Sequence, residues 1–159
     1  MTLQDSSLRW NVCSFNELSS SQLYAILAAR VAVFVVEQDC PYQDVDGLDD
    51  IGSHVWAESA EGKLLAYARI LPPGRRFDEP AIGRVLTTAE GRGKGIGRKL
   101  MQRSLAETEK RFPGRAIRIS AQQYLERFYT ELGFETVRGP YLEDDIPHLE
   151  MLRPPGAAS

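Results

Sequence analysis

The sequence has little of three features that often identify a protein's class. Its 159 residues include two cysteines and two histidines, too few for a disulfide framework or a zinc site with paired ligands. The net charge is −3, whereas general nucleic-acid binders usually have a basic balance. No apolar run approaches the ~20 residues that cross a bilayer, and MTLQDSSLRW lacks the layout of a secretory signal. We expect a cytoplasmic protein that binds neither nucleic acid nor a membrane.

Acidic residues are concentrated between Asp44 and Asp50, but their spacing does not fit a calcium loop. With Gly47 at the sixth loop position, Tyr42 would stand first and Ser53 twelfth, where an EF-hand requires carboxylates. The two histidines are far apart in the sequence and lack ligand spacing to either cysteine. We therefore predict no structural or catalytic metal.

The predicted elements follow the order β-α-β-β-β-α-β-α-β-β, an α/β pattern whose first half is antiparallel. Length favours a single domain over residues 1–153, followed by a tail, 154–159, that we expect to be disordered. The predicted strands are 8–15, 54–59, 64–71, 81–87, 116–121, 134–137 and 148–152. The predicted helices are one that begins near Ser20 and frays over 31–36, one at 95–111 and one at 122–132.

Glycine is concentrated in the segment 83–101, GRVLTTAEGRGKGIGRKLM, which links a predicted strand to a predicted helix. Backbone N–H groups that converge at a helix N-terminus bind anions, because they lack partners and the helix dipole favours negative charge. The spacing fits neither the dinucleotide pattern Gly-x-Gly-x-x-Gly nor the P-loop, which requires Gly-Lys-Ser/Thr. It does fit the pattern [Arg/Gln]-x-x-Gly-x-[Gly/Ala] over residues 92–97.

A second motif follows about thirty residues later, where FYTELGF at 128–134 fits Tyr-x-x-x-Gly-Phe. In this order and separation, the two motifs resemble those of the GNAT superfamily of acyl-CoA-dependent N-acyltransferases. Further segments resemble the small ElaA-like group of that superfamily: 30–38, 40–47, 67–72, 83–85 and 141–148. The resemblance implies an α/β fold with a mixed, largely antiparallel sheet of six to seven strands, flanked by helices and splayed between the fourth and fifth strands.

The resemblance also implies acetyl-CoA as the donor. The pyrophosphate would lie on the N–H groups of the glycine segment, and the pantetheine arm would pair with the fourth strand. A backbone N–H near Leu86 or Thr87 would hold the oxyanion, and Gln122 replaces the superfamily's asparagine at the next helix. The residues implied in donor binding are Val85, Leu86, Thr87, Arg92, Gly93, Lys94, Gly95, Ile96, Gly97, Arg98 and Gln122.

Direct transfer requires a neutral amine and a proton for the departing thiolate. The resemblance gives the proton donor as Tyr129, and a tyrosine that only fills the core is the alternative. Ala81 stands where some histone-acetylating members carry a glutamate, so that role is absent here or has moved to another residue. Glu37 and His148 are the candidates, with water that connects to bulk solvent as the remaining possibility.

Four side chains are candidates for the acceptor end of the site: Glu37, Arg69, Arg84 and His148. The two arginines lie in otherwise apolar strands that the fold makes neighbours, and a half-buried arginine requires a carboxylate partner. That carboxylate could belong to the protein, at Glu37, Asp46 or Asp50, or to an acidic acceptor. We expect His54 to be structural, and a structural role is also open for His148.

The sequence therefore predicts an acetyl-CoA-dependent N-acetyltransferase that works by direct attack on the thioester, without a covalent acyl-enzyme. The acceptor would be a small amine or an amine of a peptide or protein. A non-catalytic acyl-CoA-binding or sensor domain is the alternative. A homodimer is compatible with the sequence, which does not determine the oligomeric state.

Overall fold

The computed structural model describes residues 8–157; segments 1–7 and 158–159 lie outside the described residues. Within the described part, seven strands form one sheet in the order β1-β2-β3-β4-β5-β7-β6. β4 and β5 are parallel, and the other neighbouring pairs are antiparallel. The strands are β1 (Arg9–Ser14), β2 (Ser53–Glu58), β3 (Leu64–Leu71), β4 (Ala81–Thr87), β5 (Ile117–Gln122), β6 (Glu135–Glu143) and β7 (Ile146–Arg153). The predicted fold class is confirmed.

Three α-helices accompany the sheet in the described residues: α1 (Ser20–Arg30), α2 (Ile96–Arg111) and α3 (Glu126–Thr130). Ser19 caps α1, because its Oγ accepts from the Gln22 N–H at 3.0 Å while Gln22 Oε1 accepts from the Ser19 N–H at 2.8 Å. The chain then continues as a π-helix over Val31–Glu37, where the β-branched run predicts fraying.

Two elements differ most from their predicted bounds, because tertiary pairing overrides local pattern. The predicted helix 122–132 begins late, since Gln122 still pairs with His148 of β7 and Gln123–Leu125 form a 3₁₀ turn. β6 is longer than the predicted 134–137 because it pairs with β7 along the edge of the sheet. Its side chains are mostly exposed, so hydrophobic alternation does not mark it.

The tail that the sequence predicts as disordered begins with a turn. The Ala157 N–H donates to the Pro154 carbonyl at 3.2 Å, and the Ala157 carbonyl accepts from Arg153 Nη2 at 2.5 Å. The last two residues of the predicted tail, 158 and 159, lie outside the described residues.

The two faces of the sheet are covered by different helices, because side chains alternate between faces along each strand. Val55 and Ala57 of β2 belong to the larger core, which α2 covers with four buried side chains: Ile96, Leu100, Met101 and Leu105. Trp56, between them, belongs to the opposite face, where α1 and the π-helix contribute Ile26 and Val33.

β4 and β5 pair at one position only, Ala81 with Arg118. The closed end is fastened by the Arg118 guanidinium, which donates to Glu79 at 2.9 and 3.0 Å and to Glu150 at 2.7 Å. Beyond this point the strands part and leave a wedge in the sheet. The predicted splay between the fourth and fifth strands is confirmed.

Three arginines and the three aspartates of the segment 44–49 form a largely buried ion-pair cluster: Arg30, Arg69, Arg84, Asp44, Asp46 and Asp49. Arg30 Nη1 lies 2.6 Å from Asp49 Oδ1, and Arg69 Nη1 lies 2.9 Å from the same oxygen. We call this group the arginine–aspartate cluster. Of the carboxylates that the sequence offers as arginine partners, Asp46 is correct, whereas Glu37 and Asp50 are not part of the cluster.

His54 lies next to this cluster and has a structural role. Its Nε2 is 3.0 Å from the Asp49 carbonyl and its Nδ1 is 2.7 Å from the Tyr67 hydroxyl. Because a carbonyl can only accept, Nε2 carries the proton and Nδ1 accepts from the tyrosine. Burial lowers the pKa of His54, so the imidazole is neutral.

The helix from Ser20 to Glu37 corrects the expectation that no apolar segment is long enough to cross a bilayer. Its 18 residues have a mean hydropathy of 1.4, so by length and composition alone it could cross a membrane. One such helix is weak support for insertion, because core helices of water-soluble proteins pass the same test. Arg30, in its middle, is fully buried and bonds to Asp44 and Asp49, which ties the helix to the rest of the fold.

The stability of the fold should fall in acid through Asp46. Burial acts to raise its pKa, but the hydrogen bonds and charge of Arg69, with a smaller contribution from Arg84, hold the pKa well below its usual value. A carboxylate whose folded-state pKa is depressed stabilises the fold above its unfolded-state pKa of about 3.9. That contribution is lost as the pH falls through the folded-state pKa.

Asp46→Asn should therefore lower the free energy of unfolding at pH 7 by about 2 kcal/mol and flatten its dependence on pH below about 4. Denaturant unfolding between pH 3 and pH 7 measures both effects. Asp50→Asn, which changes an exposed carboxylate outside the cluster, is the control. Equal pH slopes for the two variants and the parent would contradict this account.

Candidate active site

A cleft of about 560 Å³ fills the wedge between β4 and β5. The predicted site residues that line it are Glu37, Arg84, Val85, Leu86, Thr87, Arg92, Gly97, Gln122, Tyr129 and His148. The remaining predicted donor residues lie on the adjoining turn and first turns of α2: Gly93, Lys94, Gly95, Ile96 and Arg98. The fold thus brings most of the predicted site together, with Arg69 as the exception.

The β4 wall of the cleft contains a β-bulge. Arg84 and Val85 together oppose the single residue Ala68 of β3, because the pairing shifts register there. Arg84 has φ of +53°, the left-handed conformation that a bulge of this kind usually assigns to glycine. A bulge releases backbone groups from the strand ladder, so this segment has polar backbone atoms available to a ligand in the cleft.

Tyr129 lies on the opposite wall, on α3. Its ring packs edge-on against Phe128 and Phe134, with centroids 5.0 and 5.9 Å away, and the residue is 5% exposed. Among residues 8–157 no group hydrogen-bonds to its hydroxyl. Burial raises the pKa of Tyr129 above its ordinary value, so the hydroxyl keeps its proton at neutral pH and can donate it to a group in the cleft.

His148 lines another part of the cleft, at the start of β7. Its Nδ1 is 2.7 Å from the Ile146 carbonyl, so Nδ1 carries the proton in the neutral ring and Nε2 has the lone pair. Nε2 lies 3.4 Å from Glu143 Oε2, and the ring stacks on Tyr141 at 6.2 Å. An imidazole oriented this way can accept a proton at Nε2, and the adjacent carboxylate would stabilise the imidazolium.

Glu37 and Arg92 both line the cleft and form an ion pair with each other. Glu37, at the end of the π-helix, accepts from Arg92 Nη2 at 2.5 Å, and the same nitrogen donates to the Thr87 carbonyl at 3.1 Å. Gln122 similarly donates to Gln38 at 3.2 Å. These contacts tie the π-helix to the glycine turn and to the end of β5, and the sequence analysis did not anticipate either of them.

Glycine occupies every second position from 91 to 97, and at positions 91, 93 and 95 the structure favours it for different reasons. A Cβ on Gly91 would lie 2.3 Å from the Leu65 carbonyl oxygen of β3, so the close approach of two backbones requires glycine there. Gly93 and Gly95 have φ of +76° and +72°, which other residues rarely adopt. Gly95 precedes α2 without a side-chain cap, so the first N–H groups of that helix are available to an anion.

The two acceptor-site arginines are in different environments. Arg69 is 1% exposed, donates to Asp46 and Asp49 and does not line the cleft. The expectation that Arg69 contacts an acceptor is therefore corrected, because its guanidinium is buried and paired with two aspartates. Arg84 does line the cleft, but its side chain is also bound by aspartates.

Several residues of the site were missed by sequence reasoning. The arginine–aspartate cluster contains three of them: Arg30, Asp44 and Asp49. Arg30 follows Ile26 at core-facing helical spacing, and a charged residue in that position was a usable signal. Gln38 and Glu143 did carry a signal, since they lie in the segments 30–38 and 141–148 that resemble the ElaA-like group. In the described part of the chain, no group of three or more His, Cys, Asp or Glu residues could hold a metal ion.

Alanine substitutions in the glycine turn should have opposite effects on stability. Gly91→Ala should lower the free energy of unfolding by about 1–3 kcal/mol, because the new methyl group collides with the Leu65 carbonyl. Gly97→Ala should raise it by about 0.5–1 kcal/mol, because this glycine is helical and its Cβ would meet only Thr87 Cγ2 at 3.7 Å. Guanidinium unfolding of both variants checks this, and shifts in the same direction would contradict it.

Comparison with known proteins gives consistent results. The family model of the acetyltransferase (GNAT) domain matches residues 20–153. ElaA of Escherichia coli is 42% identical over 148 residues, which are 92% of this chain and 96% of that protein. A UPF0039 protein of Synechocystis is 40% identical over 145 residues, 91% of this chain and 94% of its own.

Solved structures agree with these relatives. An acyl-CoA N-acyltransferase from Pseudomonas aeruginosa superposes with a TM-score of 0.88 at 44% identity, over 92% of this chain and 99% of that chain. The structure of E. coli ElaA gives a TM-score of 0.85 at 41% identity, with the same two coverages. Both the sequence and the architecture are thus shared over nearly the full length, and the chain belongs to the GNAT acetyltransferase family, with ElaA and the UPF0039 proteins as close homologues.

Proposed function

We propose that this protein is an acetyl-CoA-dependent N-acetyltransferase in which an amine attacks the thioester directly. The observation that supports the proposal is that Tyr129 and the bulged segment of β4 line the same cleft. Membership of the GNAT family supports an acyl-CoA donor and an acceptor substrate. Both cysteines are free, which suits the cytoplasmic location that we include in the proposal.

The residues at the glycine end of the cleft fit an acyl-CoA. The first N–H groups of α2 lack a side-chain cap, and Gly93 and Gly95 leave open space where a Cβ would stand. Arg92, Lys94 and Arg98 add positive charge for phosphate groups. Beyond Ala81, the β4 backbone that faces the wedge is not paired with β5, so it is free to pair with an extended amide-containing arm. Acetyl-CoA would supply the activated acyl group as a thioester.

The walls of the cleft supply the groups that the reaction requires. A backbone N–H at Leu86 or Thr87 would stabilise the negative charge that develops on the carbonyl oxygen. The neutral amine nitrogen forms a bond to the carbonyl carbon, the carbon–sulfur bond breaks, and Tyr129 gives its proton to the departing sulfur. The nitrogen loses one proton as the amide forms, and the tyrosinate regains one through solvent. The raised pKa of Tyr129 keeps the proton in place until a thiolate forms next to it.

Of the two candidate bases, His148 is better placed than Glu37. An alkylamine of pKa about 10.4 is neutral at pH 7 in about one molecule in 2,500, which costs about 4.6 kcal/mol. The neutral ring of His148 has its lone pair on Nε2, and the Glu143 carboxylate 3.4 Å away would stabilise the imidazolium that forms when Nε2 takes that proton. Glu37, in contrast, is bound to Arg92 on the glycine turn.

An acetylation assay over a panel of amines tests the proposed function. The panel should contain small alkylamines, polyamines and peptides with free N-termini or lysines, and mass spectrometry should detect the products. We expect at least one amine to gain one acetyl group only when both protein and acetyl-CoA are present. Tight binding of acetyl-CoA without transfer to any amine would instead support a non-catalytic acyl-CoA-binding or sensor domain.

Tyr129→Phe should lower kcat at least about tenfold, because general acid catalysis contributes at least that much. The affinity for acetyl-CoA should change little, since the ring and its packing remain. Steady-state kinetics and calorimetry measure the two quantities. Tyr124→Phe, on an exposed tyrosine of the same cleft, is the matched control and should keep the parental kcat. An unchanged kcat in Tyr129→Phe would leave this tyrosine with a packing role only.

His148→Gln should lower kcat/KM about a hundredfold at pH 7. It should also remove the low-pH limb of the pH–rate profile, which reports protonation of the base. Glu37→Gln should keep that limb, because its carboxylate is paired with Arg92. Loss of the limb in Glu37→Gln and its retention in His148→Gln would assign the base to Glu37.

A further inference from the structure

Arg84 has a backbone conformation that arginine rarely adopts. Its φ of +53° brings the Cβ of an L-residue close to the neighbouring carbonyl oxygen, and bulges of this kind usually have glycine at the left-handed position. Gly83 is the adjacent residue, yet the left-handed conformation falls on the arginine. A conformation of this cost persists only where the surrounding structure stabilises it.

The side chain of Arg84 is held by two carboxylates and one aromatic ring. Its Nε lies 2.9 Å from Asp44 Oδ1 and its Nη2 lies 3.2 Å from Asp46 Oδ2. Nη2 also donates to the Asp44 carbonyl at 3.0 Å, and the guanidinium carbon is 5.6 Å from the centroid of the Tyr42 ring. The Nε contact is ionic rather than an aligned hydrogen bond, because Nε–H has no aligned acceptor.

The two carboxylates are themselves fixed from the protein interior. Asp44 accepts from Arg30 Nε at 2.8 Å and from the Tyr42 hydroxyl at 2.6 Å. Asp46 accepts from both terminal nitrogens of Arg69 at 2.8 Å. The side chains of Arg30 and Arg69 are 0% and 1% exposed, and that of Arg84 is 17% exposed. Arg84 is therefore the outermost cation of a cluster whose other two arginines are buried.

We propose that Arg84 is a positioning residue, which holds the β4 bulge in the conformation that presents the backbone of residues 85–87 to the thioester. Its contacts with Asp44 and Asp46 offset the cost of the positive φ. Without them, residue 84 would relax toward the extended region, and the N–H groups that follow would turn. The catalytic consequence rests on the proposed N-acyl transfer, whereas the structural one does not.

This role differs from contact with an acceptor carboxylate. The Nε and Nη2 atoms of Arg84 already face protein oxygens, and the side chain is 17% exposed. An acceptor carboxylate would have to compete with two aspartates that are fixed by other arginines. A positioning role accounts for the contacts of this side chain with Asp44 and Asp46. It also accounts for the unusual backbone conformation of Arg84.

Arg84→Ala and Arg84→Gly form a matched pair that tests the proposal. Both variants remove the guanidinium, and they differ by one methyl group, but only glycine adopts the left-handed conformation without strain. Two measurements should be made: hydrogen exchange of the backbone amides in the peptide that covers 83–87, and transfer kinetics with an amine identified in the panel assay. Arg75→Ala, which removes a positive charge from an exposed loop position, is the charge control.

In Arg84→Ala, exchange in 83–87 should be at least about fivefold faster than in Arg84→Gly, given the cost of the left-handed conformation. Its kcat should fall about tenfold or more, while the affinity for acetyl-CoA stays within about threefold. Arg84→Gly should recover most of kcat but exchange faster than the parent, because the ion pairs are gone. The alanine variant should also be the less stable of the pair, the reverse of the usual order.

Equal loss of kcat in both variants, with parental exchange in 83–87, would overturn the proposal and make Arg84 an acceptor contact. Equal exchange in the two variants would equally overturn it. If Arg84→Gly folds and Arg84→Ala does not, the result supports the proposal that the arginine stabilises the left-handed backbone conformation. If the parent protein acetylates no amine, the proposed function fails, and the exchange comparison still decides whether Arg84 holds the bulge.

Discussion

The parting of β4 and β5 is the constraint on which the whole site depends. A fully paired sheet has no free polar backbone in its interior and no space for a ligand between its strands. Here pairing stops after Ala81 and Arg118, and the ion pairs of Arg118 with Glu79 and Glu150 fasten the closed end. The open end has a cleft, an unpaired stretch of β4 and, next to them, the uncapped N-terminus of α2.

A second constraint, the arginine–aspartate cluster, fixes the segment 44–49 against the sheet. Buried ions are costly unless each is paired and hydrogen-bonded, and here each carboxylate contacts at least two arginines. The cluster connects the inner face of α1, through Arg30, with β3 and β4. The wall of the cleft is thereby joined to the core by ion pairs as well as by strand pairing.

The glycine turn and the Tyr129 segment of the candidate site could be predicted from sequence because their determinants are local. The glycine turn and the Tyr-x-x-x-Gly-Phe segment are short motifs, and the bounds of β3 and β4 follow from apolar runs between turns. The rest of the cleft depends on contacts between distant residues. Glu37 and Arg92 are 55 positions apart, and Arg30 and Asp49 are 19 apart. No periodicity encodes such pairs, so the partners of the arginines and the true length of β6 required the structure.

In the proposed site, the wedge and the glycine turn together bind the donor. Hydrogen exchange of the full chain, with and without acetyl-CoA, tests it most directly, because backbone amides are the proposed ligands. With acetyl-CoA bound, exchange should be slower only in β4 residues 85–87 and in residues 93–97 at the start of α2. Absence of binding at millimolar acetyl-CoA, or protection elsewhere in the sheet with none in these two segments, would contradict it.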